Sequence, residues 1–163
     1  MAATIHVDGL ASIKVATPTG GTLELLGYTE NGVEITEQGF SLPVHGDQNG
    51  GDAGPPIDIQ DMGEMHIVRM LLTKYDEAVL NKIRARLAAG TAGTPNLAGS
   101  LAFTATNLYR LLIHSVNLPR NYIAATFLET REINKGTKHS KALVIAQCYS
   151  TEPGIAIYNA TTT

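Results

Sequence analysis

The apolar and polar positions form their clearest pattern between residues 64 and 89. Glu64 to Tyr75 predicts a long strand, because apolar side chains occupy both of its alternating sets of positions. A strand that is apolar on both faces is typical of a sheet with a layer on each side, and therefore predicts two packed sheets. The two sets are Met65, Ile67, Leu71 and Tyr75 on one face and Val68, Met70 and Leu72 on the other.

Residues 76–89 predict one α-helix that follows this strand directly. Asp76 can accept hydrogen bonds from the first free amides of a helix, and Gly90 can end it. Asp76 and Glu77 place negative charge at the positive end of the helix dipole. The apolar positions form a narrow stripe at helical spacing, which predicts a helix packed on the flank of the sheets. These positions are Val79, Leu80, Ile83 and Leu87.

Shorter alternating segments predict the remaining strands. Asn31-Gly32 predicts a hairpin turn between strands at Thr22–Glu30 and Val33–Leu42. In the strand at Asn121–Ile133, alternation places Ile123, Ala125 and Phe127 on one side and Tyr122, Ala124, Thr126 and Leu128 on the other. The other predicted strands are Ala2–Val7, Ala11–Ala16, Leu101–Phe103, Tyr109–Asn117, Ala142–Ser150 and Ile155–Asn159. The chain is therefore predicted to be a single domain over residues 1–163, mainly β, with a two-sheet sandwich or barrel and one helix at about residues 76–89.

A long loop is predicted at residues 43–61. It is dense in glycine and proline, and it carries Asp47, Asp52, Asp58 and Asp61. A loop of this length without secondary structure is usually functional or disordered. Two interpretations are open: the loop orders against a neighbouring subunit, or its clustered aspartates bind calcium. The loop lacks the ligand spacing and the closing glutamate of an EF-hand, which favours the subunit contact.

Composition narrows the function classes. The formal net charge is −3 and only 17% of the residues are charged, which suggests that much of the surface meets other protein. Without a basic footprint, tight nucleic-acid binding is not expected. Cys148, the single cysteine, lies in an apolar strand pattern and is predicted to be a buried, inert thiol. No apolar run approaches the roughly 20 residues that span a bilayer, and no secretory signal is visible, so a soluble protein is expected.

The search for catalytic chemistry is negative. The sequence has no phosphate-binding loop, no dinucleotide fingerprint, no HExxH motif and no paired cysteines. The five histidines show no metal-ligand spacing, and His66, within a strand, is predicted to be structural. The basic turn at residues 134–141 is interpreted as a solvated hairpin tip, with phosphate contact as the alternative. We therefore expect no enzyme activity, no cofactor and no bound metal.

Three stretches, in order, resemble one protein family. They are GYTENGVEI, then GDAGPPIDIQDMGE, then IVRMLLTKYDEAVLNKI. The second carries an Asp-Gly turn, a proline, an aspartate and a glycine before a long strand, at Asp52, Gly54, Pro56, Asp58 and Gly63. The pattern resembles the tail tube (major tail) proteins of long-tailed bacteriophages, and more distantly the Hcp tube protein of type VI secretion.

The resemblance implies a structural virion protein. Six copies would form a ring, and the rings would stack into a hollow tube through which DNA passes without specific binding. The implied partners are further copies of the chain, a tape measure protein and other tail proteins, with no membrane, and the implied location is the virion tail, assembled in the host cytoplasm. Alternatives are a head–tail junction or capsid decoration protein, or a calcium- or carbohydrate-binding β-sandwich. The expected contact arms are the loop at 43–61 and the hairpin at 121–150, with contact candidates Asp47, Asp52, Gly54, Pro56, Asp58, Lys135, Lys138 and Lys141.

Overall fold

A computed structural model describes residues 2–7, 10–16, 21–85, 108–115, 119–133, 140–150 and 155–160. The strand predicted at Leu101–Phe103 lies outside these residues. The helix is α1 (Glu77–Ala85). The strands are β1 (Ala2–Val7), β2 (Ser12–Ala16), β3 (Glu24–Val44), β4 (Asp58–Tyr75), β5 (Tyr109–His114), β6 (Arg120–Ile133), β7 (Lys141–Tyr149) and β8 (Tyr158–Asn159).

Six of the strands close into an antiparallel barrel. The order β3-β2-β5-β6-β7-β4 returns to its start because β4 also pairs with β3. β1 pairs with residues 33–38 of β3, and β2 pairs with residues 24–28 of the same strand. β8 pairs with Asn121 and Tyr122 near the start of β6. Over the described residues, the prediction of a mainly β body with one helix is confirmed. Of the two predicted forms, sandwich or barrel, the structure has the barrel.

The two faces of β4 are not equally covered. One face lies in the core and the other is only partly covered, so the prediction that a layer of protein covers both faces is wrong. A closed barrel fills its own interior with side chains and needs no second sheet, which leaves the outer face at the surface. The buried side chains are His66, Val68, Met70 and Leu72, and the partly covered ones are Met65, Ile67 and Leu71.

The hairpin predicted at Asn31-Gly32 does not form, because β3 continues through it. Thr29 lies opposite Leu72 and Val33 lies opposite Met70, so residues 30–32 together face one residue of β4. This is a β-bulge, and Gly32, with φ of 85°, takes the left-handed conformation that it needs. An Asn-Gly pair satisfies a bulge as well as a turn. The dipeptide therefore marks the right place but the wrong structure.

A second bulge changes which residues of β6 enter the core. Tyr109 lies opposite Ala125 and Leu111 lies opposite Tyr122, so two residues of β6 face Arg110 alone. Tyr122, Ala125 and Phe127 all belong to the core as a result. The prediction that Tyr122 points away from Ala125 and Phe127 is wrong, because strict alternation fails across the bulge.

The helix begins as the sequence predicts. Asp76 Oδ1 accepts the backbone N–H of Ala78 at 2.8 Å, which caps the first turn. Val79, Leu80 and Ile83 are buried in the core. Residues 86–89 of the predicted helix lie outside the described residues. Within the described part of the chain, no helix combines the length and the apolarity needed to cross a bilayer.

Candidate assembly surface

A two-stranded arm extends beyond the barrel. β1 pairs with β3 only as far as Gln38, and β7 pairs with β4 only from Met65 onwards. Among the described residues, 39–44 and 58–64 therefore pair only with each other, and residues 45–57 join them. We call residues 39–64 the arm. The prediction of a structureless loop at 43–61 is wrong at both ends, where the strands continue.

The tip of the arm has its own local structure. Two 3-10 turns, Asp47–Asn49 and Gly51–Ala53, fold the chain between the strands. The amides of Asn49 and Gly51 both donate to the carbonyl oxygen of Gly46, at 3.0 and 3.2 Å. At Gly54, a Cβ atom would lie 1.6 Å from the carbonyl oxygen of Asn49, so the turn accepts only glycine there. The tip therefore has a defined conformation that its own hydrogen bonds and Gly54 determine.

Three large apolar side chains stand exposed in one row on the arm. Phe40, Leu42 and Val44 are 42%, 51% and 37% exposed. Alternation along β3 places them on one face, shared with Gln60, which lies directly opposite Leu42. We call these three residues the apolar row. A two-stranded ribbon is marginally stable by itself in water, so this face favours a covering partner.

The arm is also acidic. Residues 39–64 contain five carboxylates and no lysine or arginine, while the whole chain has a net charge of −3. The rest of the chain therefore carries a net charge of +2. The structure brings five predicted contact candidates together on this arm: Asp47, Asp52, Gly54, Pro56 and Asp58.

Of the three predicted basic contact residues, Lys141 is the one that the structure describes, and it does not join them. Lys135 and Lys138 lie outside the described residues. Lys141 begins β7, and its Nζ atom is 2.7 Å from the carboxylate of Glu30, which lies at the bulge of β3. The geometry therefore places Lys141 in a local ion pair on the barrel.

A buried polar cluster, which sequence reasoning missed, lies in the barrel where the arm begins. Arg120 donates to Glu37 Oε1 at 2.9 Å and to the hydroxyl of Tyr122 at 3.2 Å, and its Cζ atom is 4.2 Å from the ring centre of Tyr158. These residues come from β3, β6 and β8. The strand predicted at Asn121–Ile133 begins one residue after Arg120, so Arg120 received no predicted role. No periodic pattern could have paired it with Glu37.

His66 completes this cluster. Its Nδ1 atom is 3.1 Å from the Tyr122 hydroxyl, and its Nε2 atom is 3.7 Å from Glu64 Oε1, with no hydrogen-bond partner among the described residues. Burial lowers the pKa of His66, and this effect exceeds the opposite effect of the negative charges of Glu37 and Glu64, which raise the pKa. Burial opposes the charge of Arg120, but its hydrogen bonds to Tyr122 and Glu37 raise its pKa. The cluster thus favours a neutral His66 beside a charged Arg120.

The groups of this cluster contact one another. Every polar side chain of the cluster contacts another member, and burial raises the pKa of Tyr122. Cys148 is buried as predicted, and burial raises the pKa of its thiol. Among the described residues, no three His, Cys, Asp or Glu side chains are grouped so that they could hold a metal ion. The calcium hypothesis for Asp47, Asp52 and Asp58 gains no support from this geometry.

Comparisons with known proteins add no identification. No protein-family model matches the chain, and no curated protein is significantly similar to it. The arm and the sequence pattern are therefore the features that indicate a function.

Proposed function

We propose that this chain is the structural subunit of a phage-type tail tube. Six copies form a ring, and rings stack into a hollow tube that conducts DNA without binding it specifically. The observation that carries the proposal is the arm, whose apolar row stands exposed beyond a closed barrel. The sequence resemblance supplies the ring of six, the tape measure protein as a partner, and the virion tail as the location.

Covering the apolar row supplies a driving force for assembly. Full burial of such a side chain contributes roughly 1.5–3 kcal/mol, and about half of each side chain is still exposed. Each contact would therefore gain roughly 2–4 kcal/mol from the three residues together. A ring or stack repeats this contact at every subunit, so a modest gain at one site is multiplied along the assembly.

Charge supports a second copy of the chain as the partner. The arm has five negative charges, and the rest of the chain has a net charge of +2. The arm of one subunit is therefore attracted to the body of another. A contact between two different patches is heterologous, and it generates closed rings or open stacks. Such growth is what a tube requires.

Electron microscopy and analytical ultracentrifugation of the purified full-length protein test the proposal. We expect rings or tubes that become more abundant as the protein concentration rises. Leu42→Ser should shift the protein toward monomer, because it removes the centre of the apolar row. Leu128→Ser is the matched control, since Leu128 is a 43% exposed leucine of the barrel outside the arm.

The outcomes separate the structural roles. Stacked rings support the tail tube, and single rings that never stack favour a head–tail junction protein. A wild-type chain that stays monomeric at every concentration contradicts both roles.

A further inference from the structure

The arm exposes two strand edges as well as an apolar face. The carbonyl oxygen of Val44 accepts the amide of Ile57 at 2.8 Å, so the backbone of Val44 points toward β4. Residues of an antiparallel strand alternate between facing their partner and facing away. Ser41 and Pro43 therefore direct their backbone polar groups to the free edge of β3. Their partners Asp61 and Ile59 face the free edge of β4.

The β3 edge is interrupted by a proline. Pro43 has no backbone N–H, so a strand added along this edge would lose one hydrogen bond in the middle of a short ladder. Prolines on edge strands are a known means of preventing unwanted strand pairing.

The β4 edge is covered by its own aspartates. Asp58 Oδ1 accepts the amide of Ile59 at 2.8 Å, and Asp61 Oδ1 accepts the amide of Gly63 at 2.8 Å. An incoming strand would have to displace both carboxylates from these amides. It would also have to approach an edge that carries two negative charges.

On the basis of the proposed function, we infer that the arm binds a second copy of the chain through its apolar row, and that Pro43, Asp58 and Asp61 keep both edges from accepting a strand. The aspartates then have a role different from the one that the sequence indicates. Asp58 is a predicted contact residue, but its carboxylate is bonded to its own backbone. Pro43, Asp58 and Asp61, here called the edge guards, prevent strand pairing, whereas the apolar row binds the second copy.

The double variant Asp58→Ala/Asp61→Ala tests the guards. It frees the amides of Ile59 and Gly63, so we expect irregular aggregates with a several-fold rise in thioflavin T fluorescence. Asp47→Ala/Asp52→Ala is the matched control, because it removes the same charge from the same arm. The N-cap positions of the two 3-10 turns are Gly46 and Gly50, so these two aspartates do not occupy them. The control loses the same charge attraction as the first variant but keeps both hydrogen-bonded aspartates of β4, so we expect it to leave the fluorescence unchanged.

Near-ultraviolet circular dichroism verifies that the barrel of each variant is intact. Equal thioflavin T fluorescence in the two double variants overturns the edge-guard role, because charge alone would then explain the behaviour. Wild-type assembly by Leu42→Ser overturns the role of the apolar row. Failure of the wild type to assemble would count against the proposed function, whereas the fluorescence comparison tests the guards even in monomers.

Discussion

Replacing Arg120 by methionine should destabilise the protein by about 3 kcal/mol. The side chain is 5% exposed, and it bonds both Glu37 and the Tyr122 hydroxyl. Breaking a buried ion pair from one side costs roughly 3–5 kcal/mol, because the remaining charge loses its partner. Glu37 is 30% exposed, so water recovers part of this loss and the lower end of the range applies. Urea denaturation at low protein concentration, followed by circular dichroism, measures the change.

Arg131→Met provides the comparison for this prediction. Arg131 also pairs with a glutamate, Glu129 at 3.2 Å, but the two side chains are 65% and 38% exposed. A surface pair of this kind contributes about 0–1 kcal/mol, so the free energy of unfolding should hardly change. The double variant Arg120→Met/Glu37→Gln should lose less than the sum of its single variants. Equal losses at Arg120 and Arg131, or strict additivity, would refute a central role for the buried pair.

Three other predictions concern acid, the helix and the tip of the arm. Burial lowers the pKa of His66 below 6.5, so the unfolded chain binds the proton more readily than the folded chain does. The stability that neutral His66 contributes is full above pH 6.5 and is lost as the pH falls toward the folded pKa. Urea midpoints should therefore drop in acid, and they should drop less in His66→Gln. Ile83→Asp should abolish the cooperative thermal transition, because it puts a charge in the core beneath the helix. Ala78→Asp, in the exposed first turn of the helix, should keep the transition. Equal melting curves for the two variants would show that the helix is not packed at Ile83. Deleting residues 46–55 should leave a folded chain that sediments as a monomer, because it removes the turns that join the two strands of the arm and so disorders the apolar row. Loss of near-ultraviolet circular dichroism instead would mean that the tip supports the barrel.

The sequence predicts elements well where one local rule decides. Asp76 caps the helix as its side chain requires, and Val79, Leu80 and Ile83 bury the stripe that their spacing indicates. Cys148 is buried as its apolar surroundings predict. In each case the controlling interaction lies within a few residues of chain, so the pattern contains it.

Bulges and long-range pairing are where the sequence is insufficient. Gly32 is compatible with a turn or a bulge, and only the pairing of Thr29 and Val33 with β4 decides between them. In the same way, β5 sets which side of β6 Tyr122 occupies. The choice depends on partner strands that are far away in sequence, and no alternation rule contains that information.

In the candidate site, too, local features are predicted from the sequence and long-range contacts are not. Composition predicts an acidic segment that meets a partner, and the structure places its aspartates on one arm. The buried cluster depends on Arg120 reaching Glu37, which lies 83 residues earlier in the chain. The strands that extend the arm to Val44 and from Asp58 were missed, because glycine and proline density predicts a loop.

The inaccessibility of Cys148 makes the chain convenient for labelling. This is the only cysteine in the sequence, it is fully buried, and its raised pKa keeps it a thiol rather than the nucleophilic thiolate. A maleimide dye should therefore not react with Cys148 in the native protein and should modify it only after unfolding. A cysteine introduced at Gln48, on the exposed tip, would react alone. Single-site fluorophores could then be attached to the arm without first removing the natural cysteine.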